Sequence, residues 1–142
     1  MIEGKLIKFY REESGLTQGL LAQGICSVTH LSKIERGITE YSHEITDLLA
    51  KKLGITMNIE RSRYFFLKEK LFKWKNALIM IDSKEIYQLK EELENESLRF
   101  LADFKNQYYL ILARYYLFVN KKPKTKKIIE TMRNQYSDLD SD

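Results

Sequence analysis

Glycine is confined to one end of this chain. Five of its six glycines precede residue 40, the last is Gly54, and residues 57–142 contain none. Proline occurs once, at Pro123. A chain of 142 residues rich in Leu, Ile, Lys and Glu, with breakers so placed, is expected to be all-α. Short, punctuated helices should fill residues 1–56 and longer ones residues 57–137.

The stretch LTQGLLAQGICSVTHLSKIERG, residues 16–37, fixes the first part in more detail. Helix 1 is expected from about Ile2 to Glu13, with Ile7 and Tyr10 on its apolar face and Gly15 as the stop. Thr17 is a good N-cap for a helix over about residues 18–23 that buries Leu21 and Ala22. Gly24-Ile25-Cys26 forms the turn, and Ser27 caps a third helix ending near Arg36, with Leu31 and Ile34 inward and Gly37 closing it. A fourth helix, about His43 to Leu53, should bury Ile45, Leu48, Leu49 and Leu53, with Thr39 or Ser42 as its cap and Gly54 as its stop. Two short helices joined by a tight turn are a helix-turn-helix. Around the third helix, Thr29, His30, Lys33 and Arg36 lie away from Leu31 and Ile34. All four can donate hydrogen bonds and none is acidic, as a surface entering a major groove requires.

Several separated motifs keep their order and spacing: Arg11, GLTQ at 15–18, LA at 21–22, SKIERG at 32–37 and ITDLLAKKLGI at 45–55. On these residues the segment 4–56 resembles the Xre/Cro-type helix-turn-helix family. Pro, usual in the loop after the third helix in that family, is replaced by Glu40-Tyr41-Ser42. The resemblance implies a transcription regulator in which Gln18 contacts a phosphate, while Ser27, Val28, Thr29 and Lys33 face base edges or the neighbouring backbone. It further implies that Arg11 and Glu35 form an internal salt bridge. Glu35 is then a structural acid, which matters because residues 1–56 hold seven basic and seven acidic residues and carry no net charge. The bland readings are solvated side chains for Gln18, His30 and Lys33, a core position for Val28, and simple packing for Cys26.

The +4 net charge of the chain therefore resides in residues 57–142. Helices are expected at about 59–81, 84–94, 98–120 and 125–136, separated by Asp82-Ser83, Asn95-Glu96-Ser97 and Lys121-Lys122-Pro123, with Ser83 and Ser97 as caps. Seven apolar pairs recur at an offset of 39 (Phe65 with Phe104, Leu71 with Leu110, Phe72 with Ile111, Leu78 with Leu117, Ile79 with Phe118, Leu89 with Ile128, Leu93 with Met132). The pattern suggests two antiparallel helical hairpins resembling a tetratricopeptide-like array. Two repeats leave end faces uncovered, so a second copy of the chain is expected to cover them, and a homodimer would read an inverted repeat in double-stranded DNA. Outward-pointing members of Tyr108-Tyr109 and Tyr115-Tyr116 suit such a surface or a peptide groove. The run KKPKTKK, 121–127, reads as a solvated helix start, with a phosphate contact as the alternative. Together the two parts resemble the PlcR/Rgg class of peptide-responsive regulators, which implies a signalling peptide as a possible ligand. The acidic end, 138–142, is expected to be a tail.

Other functions find little support. One cysteine excludes an intrachain disulfide, the N-terminus lacks a signal-peptide core, and the apolar run 108–119 is short of the roughly 20 residues of a membrane span. A cytoplasmic protein is expected. With His30 and His43 alone, and no glycine-rich phosphate loop, neither catalysis, metal nor cofactor is expected. The rival reading is a protein-interaction module with a purely structural helix-turn-helix, favoured by the zero net charge of residues 1–56.

Overall fold

A computed structural model describes residues 2–140, apart from the side chains of Lys122 and of residues 136–140. The described residues form α-helices and one 3₁₀ turn, with no strand among them. The chain divides into two units, Met1–Tyr64 and Phe65–Asp142. The division falls eight residues after the expected 56/57 boundary, because the start of α5 is tied to the N-terminal unit by the ion pairs described below.

The N-terminal unit contains α1 (Ile2–Glu13), α2 (Gln18–Ala22), α3 (Val28–Glu35), α4 (His43–Leu53) and the start of α5 (Met57–Met80). Each short helix begins where a side-chain oxygen takes an orphan N–H. Thr17 Oγ1 accepts from Leu20 N, Ser27 Oγ from His30 N and Ser42 Oγ from Ile45 N, at 3.1–3.2 Å. Ser42 rather than Thr39 thus caps α4. Gly54 ends α4 in the left-handed region at φ 73°. Leu6, Ile7, Leu21, Leu31, Ile34 and Leu49 are fully buried, each contributing on the order of 1.5–3 kcal/mol of hydrophobic stabilisation.

Three apolar expectations need correction. Leu48 is 43% exposed, and Ile45 and Leu53 are only half-buried. The buried face of α4 carries Thr46, Leu49 and Ala50 instead. Thr46 can occupy the core because its Oγ1 donates to His43 O at 2.9 Å, so the hydroxyl is satisfied within its own helix.

Two ion-pair networks close the unit. The Glu3 carboxylate accepts from Tyr41 Oη at 2.9 Å and from Arg61. Burial raises the Glu3 pKa, but a backbone hydrogen bond, Tyr41 and Arg61 outweigh it and hold the carboxyl below its ordinary value. Tyr41 is pushed up to about 12 by burial and by its bond to that carboxylate. The buried Glu60 accepts from Tyr10 and from Arg63, the latter at 2.9 Å.

The C-terminal unit holds the rest of α5, α6 (Ser83–Glu94), a 3₁₀ turn (Ser97–Phe100), α7 (Ala102–Phe118) and α8 (Lys122–Asp140). Asp82 and Glu96, not Ser83 and Ser97, are the caps: their carboxylates accept from Glu85 N and Leu98 N. Pro123 lies in the first turn of α8, where its missing N–H costs nothing. The helix continues to Asp140 with no Gly or Pro to stop it, so residues 138–140 of the expected tail are helical, while 141–142 lie outside the described residues.

Trp74 is the centre of this unit. It is fully buried, its indole N–H donates to Ile86 O at 3.2 Å, and its ring stacks on Tyr108 at 6.1 Å. The offset-39 register does not survive in α5 and α7. Phe65 is exposed where Phe104 is buried, Leu71 is buried where Leu110 is exposed, and Phe72 is exposed where Ile111 is buried. Long amphipathic helices align by composition at several offsets, so apolar identity alone did not report which face was inward.

Candidate nucleic-acid interface

The helix-turn-helix is made by α2, the turn through Gly24 at φ 79°, and α3. Leu31 and Ile34, at the i, i+3 spacing, anchor α3 to the core and leave one face outward. That face carries Val28, 48% exposed, with Thr29, Lys33 and Arg36 exposed and His30 half-buried. Ser27, at the head of the helix, is exposed, and its hydroxyl keeps its own hydrogen to donate while accepting from His30 N. Arg36 sits at the C-cap, with Nε donating to Ser32 O at 3.2 Å.

The only acid of α3, Glu35, is buried and faces the other way. Arg11 Nε and Nη2 donate to its two oxygens at 2.5 and 3.1 Å. Hydrogen bonding to Glu35 raises the pKa of the already strongly basic guanidinium. Arg11 Nη1 also donates to Leu16 O at 2.9 Å, tying α1 to the loop before α2. Glu35 Oε2 accepts a third bond, from Gln18 Nε2 at 2.8 Å. Gln18 is thus half-buried and engaged with Glu35, with one N–H of its amide left for any further contact. The arrangement leaves the exposed face of α3 with donors, one methyl-bearing Val28 and two cations, and no carboxylate.

Two positioning residues had no clear signal in the sequence. Gly4 of α1 crosses α3 so closely that a Cβ there would lie 2.1 Å from Ile34 O. Lys52 of α4 reaches the C-terminal end of α2, Nζ donating to Leu20 O at 2.6 Å and Gln23 O at 2.9 Å. A glycine inside a helical pattern was a faint hint of the first; the second depends on tertiary placement alone. Cys26 is half-buried beside the turn, and burial pushes its thiol pKa up, away from reactive thiolate chemistry.

Among the described residues no helix is long and apolar enough to cross a membrane, and no three or more His, Cys, Asp or Glu side chains are placed to hold a metal ion.

The geometry defines a helix-turn-helix domain, and residues 7–59 match the helix-turn-helix family. Across 100 residues the chain is also 33% identical to the transcriptional activator NprA of Geobacillus stearothermophilus. That match covers 65% of this chain and 24% of the activator, so the chain spans about a quarter of the relative's length. No solved structure matches the chain.

Proposed function

We propose that the protein is a sequence-specific DNA-binding regulator of transcription that reads base edges with α3. The burial and threefold bonding of Glu35 is the observation that carries the reading. It removes the one carboxylate of α3 from a face otherwise made of donors and cations. Ser27, Val28, Thr29, His30 and Lys33 are assigned to the groove and its edges, Gln18 and Arg36 to flanking phosphates. The helix-turn-helix match and the activator relative support the same class.

The reading includes an inverted-repeat operator bound by a homodimer of tetratricopeptide-like hairpins. Support for a second copy comes from Phe65, Phe66 and Phe72 on α5, each more than half exposed. Regulation by a short peptide, implied by the resemblance, belongs to the same proposal and would appear as a change in operator affinity on adding the peptide.

Selection from random duplex DNA, followed by anisotropy at two salt concentrations, tests the reading. An enriched inverted repeat is expected, with affinity falling steeply as salt rises. Lys33→Ala and Thr29→Ala should each weaken the selected site by about 1–3 kcal/mol with the fold intact. Equal affinity of wild type and both variants, or sequence-blind binding throughout, would refute it.

A further inference from the structure

The C-terminal unit carries two adjoining apolar hollows. One, of about 400 Å³, is lined chiefly by Leu110, Ile111, Leu117 and Ile129, with Lys75 and Arg114 at its edge. The other, of about 440 Å³, is lined by Leu78, Ile79, Ile81, Arg114, Leu117 and Phe118. Arg114 and Leu117 belong to both, so the hollows form one strip with a guanidinium at its middle.

Three observations show that something should cover this strip. First, its apolar side chains are unusually open: Leu110 58%, Leu117 55%, Ile79 57% and Ile81 68% exposed. Second, Ile81 adopts φ 56°. The left-handed region is costly for a β-branched residue and is usually left to Gly or Asn. At the equivalent end of α7 the chain does use an asparagine, Asn120, at φ 62°. Ile81 therefore carries backbone strain and a solvent-exposed apolar side chain together, a combination that folding alone does not favour. Third, the only charged residues lining the strip, Lys75 and Arg114, are both cations, and neither has an acidic partner among the described residues.

We propose that this strip docks an acidic amphipathic helix of a partner protein. Its apolar side chains at i, i+3 or i+4, and i+7 would fill the two hollows, and one of its carboxylates would meet Arg114 between them. The charge complementarity selects an acidic partner. The openness of the side chains favours a helix over a small amphiphile, because a helix laid along α7 covers Leu110 through Leu117 at once, whereas an acyl chain in either hollow would stay largely in water. The proposal does not depend on what α3 reads.

The test selects helical peptides of about eleven residues, three turns, from a display library on the full chain, then measures the winner by fluorescence anisotropy. A consensus pairing apolar helical periodicity with Asp or Glu is expected. Arg114→Glu, at an exposed position, should weaken the winner about tenfold or more, and the same peptide with Lys for its acid should bind Arg114→Glu better than wild type. Ile81→Asn should raise the denaturation midpoint while weakening the peptide, which separates a docking role from a folding role. No enrichment, a consensus without acids, or binding indifferent to Arg114→Glu would overturn the proposal. So would a wild-type dimer in sedimentation equilibrium that Arg114→Glu or Leu117→Asp converts to monomer, since a second copy would then be the occupant. Decanoate displacing the peptide while binding more tightly would also overturn it, in favour of a small amphiphile.

Discussion

The two units hold themselves together by different means. In residues 2–64 buried and half-buried polar groups are interlocked: Glu35 with Arg11 and Gln18, Glu60 with Tyr10 and Arg63, Glu3 with Tyr41 and Arg61. Three of its helices begin at a Ser or Thr cap. Residues 65–140 rely on apolar and aromatic packing about Trp74, and α7 starts with no side-chain cap. Of the sixteen large apolar side chains that are exposed among the described residues, eleven lie in the second unit. The difference teaches that the first unit adds directional bonds to its apolar core, whereas the second relies on packing and leaves more of its large apolar side chains open.

That contrast can be broken from either side. Trp74→Ala should have the largest effect, about 3–5 kcal/mol, since it empties the centre of the second unit and removes the indole donor from the Ile86 carbonyl. Far-UV circular dichroism should then show the second unit melting early and a remaining helical transition from the first. A single early transition would mean the two stand or fall together. Gly4→Ala comes next, at about 3 kcal/mol, because the new methyl meets backbone rather than a flexible side chain. Trp74 is the one tryptophan, so its fluorescence reports the second unit alone. Under Gly4→Ala the fluorescence transition should stay in place while part of the helical signal moves; a joint shift would erase the distinction drawn above.

Glu35→Ala is expected to cost about 2–4 kcal/mol, leaving Arg11 and Gln18 without their acceptor. The smallest effect belongs to Glu3→Gln, on the order of 1 kcal/mol or less at neutral pH. Its sign with pH is fixed. The folded state holds Glu3 below its ordinary pKa, so its stabilisation is present above the unfolded pKa and is lost as pH falls through the folded one. Urea midpoints of wild type and Glu3→Gln should therefore differ at neutral pH and converge in acid; a gap that widens in acid would contradict the assigned network.

Much of the first unit could be read in advance because its rules are local. Thr17, Ser27 and Ser42 are caps three residues before the N–H they serve, and Leu21, Leu31 and Ile34 fall at helical spacing. What was not legible is tertiary. Nothing near Gly4 in sequence announces Ile34, nothing near Lys52 announces the end of α2, and the rotation of α4 that turns Thr46 rather than Leu48 inward is set by packing against the rest of the unit. The second unit was harder. Its helices were visible, yet the face each buries was not, and the matches at an offset of 39 paired Leu71 with an exposed Leu110. Arg114 gave no signal at all, since an arginine between leucines on an amphipathic helix reads as ordinary solvated surface.

One consequence of the Glu35 cluster concerns time rather than shape. A single carboxylate receives α1 through Arg11 and α2 through Gln18 while belonging to α3. The three helices are therefore set before any duplex arrives. On the proposed reading, little conformational entropy is spent at the encounter, and association should run near the rate that diffusion and charge steering allow. Loosening this carboxylate would then slow the arrival of the protein at its operator, although Glu35 touches no part of the DNA.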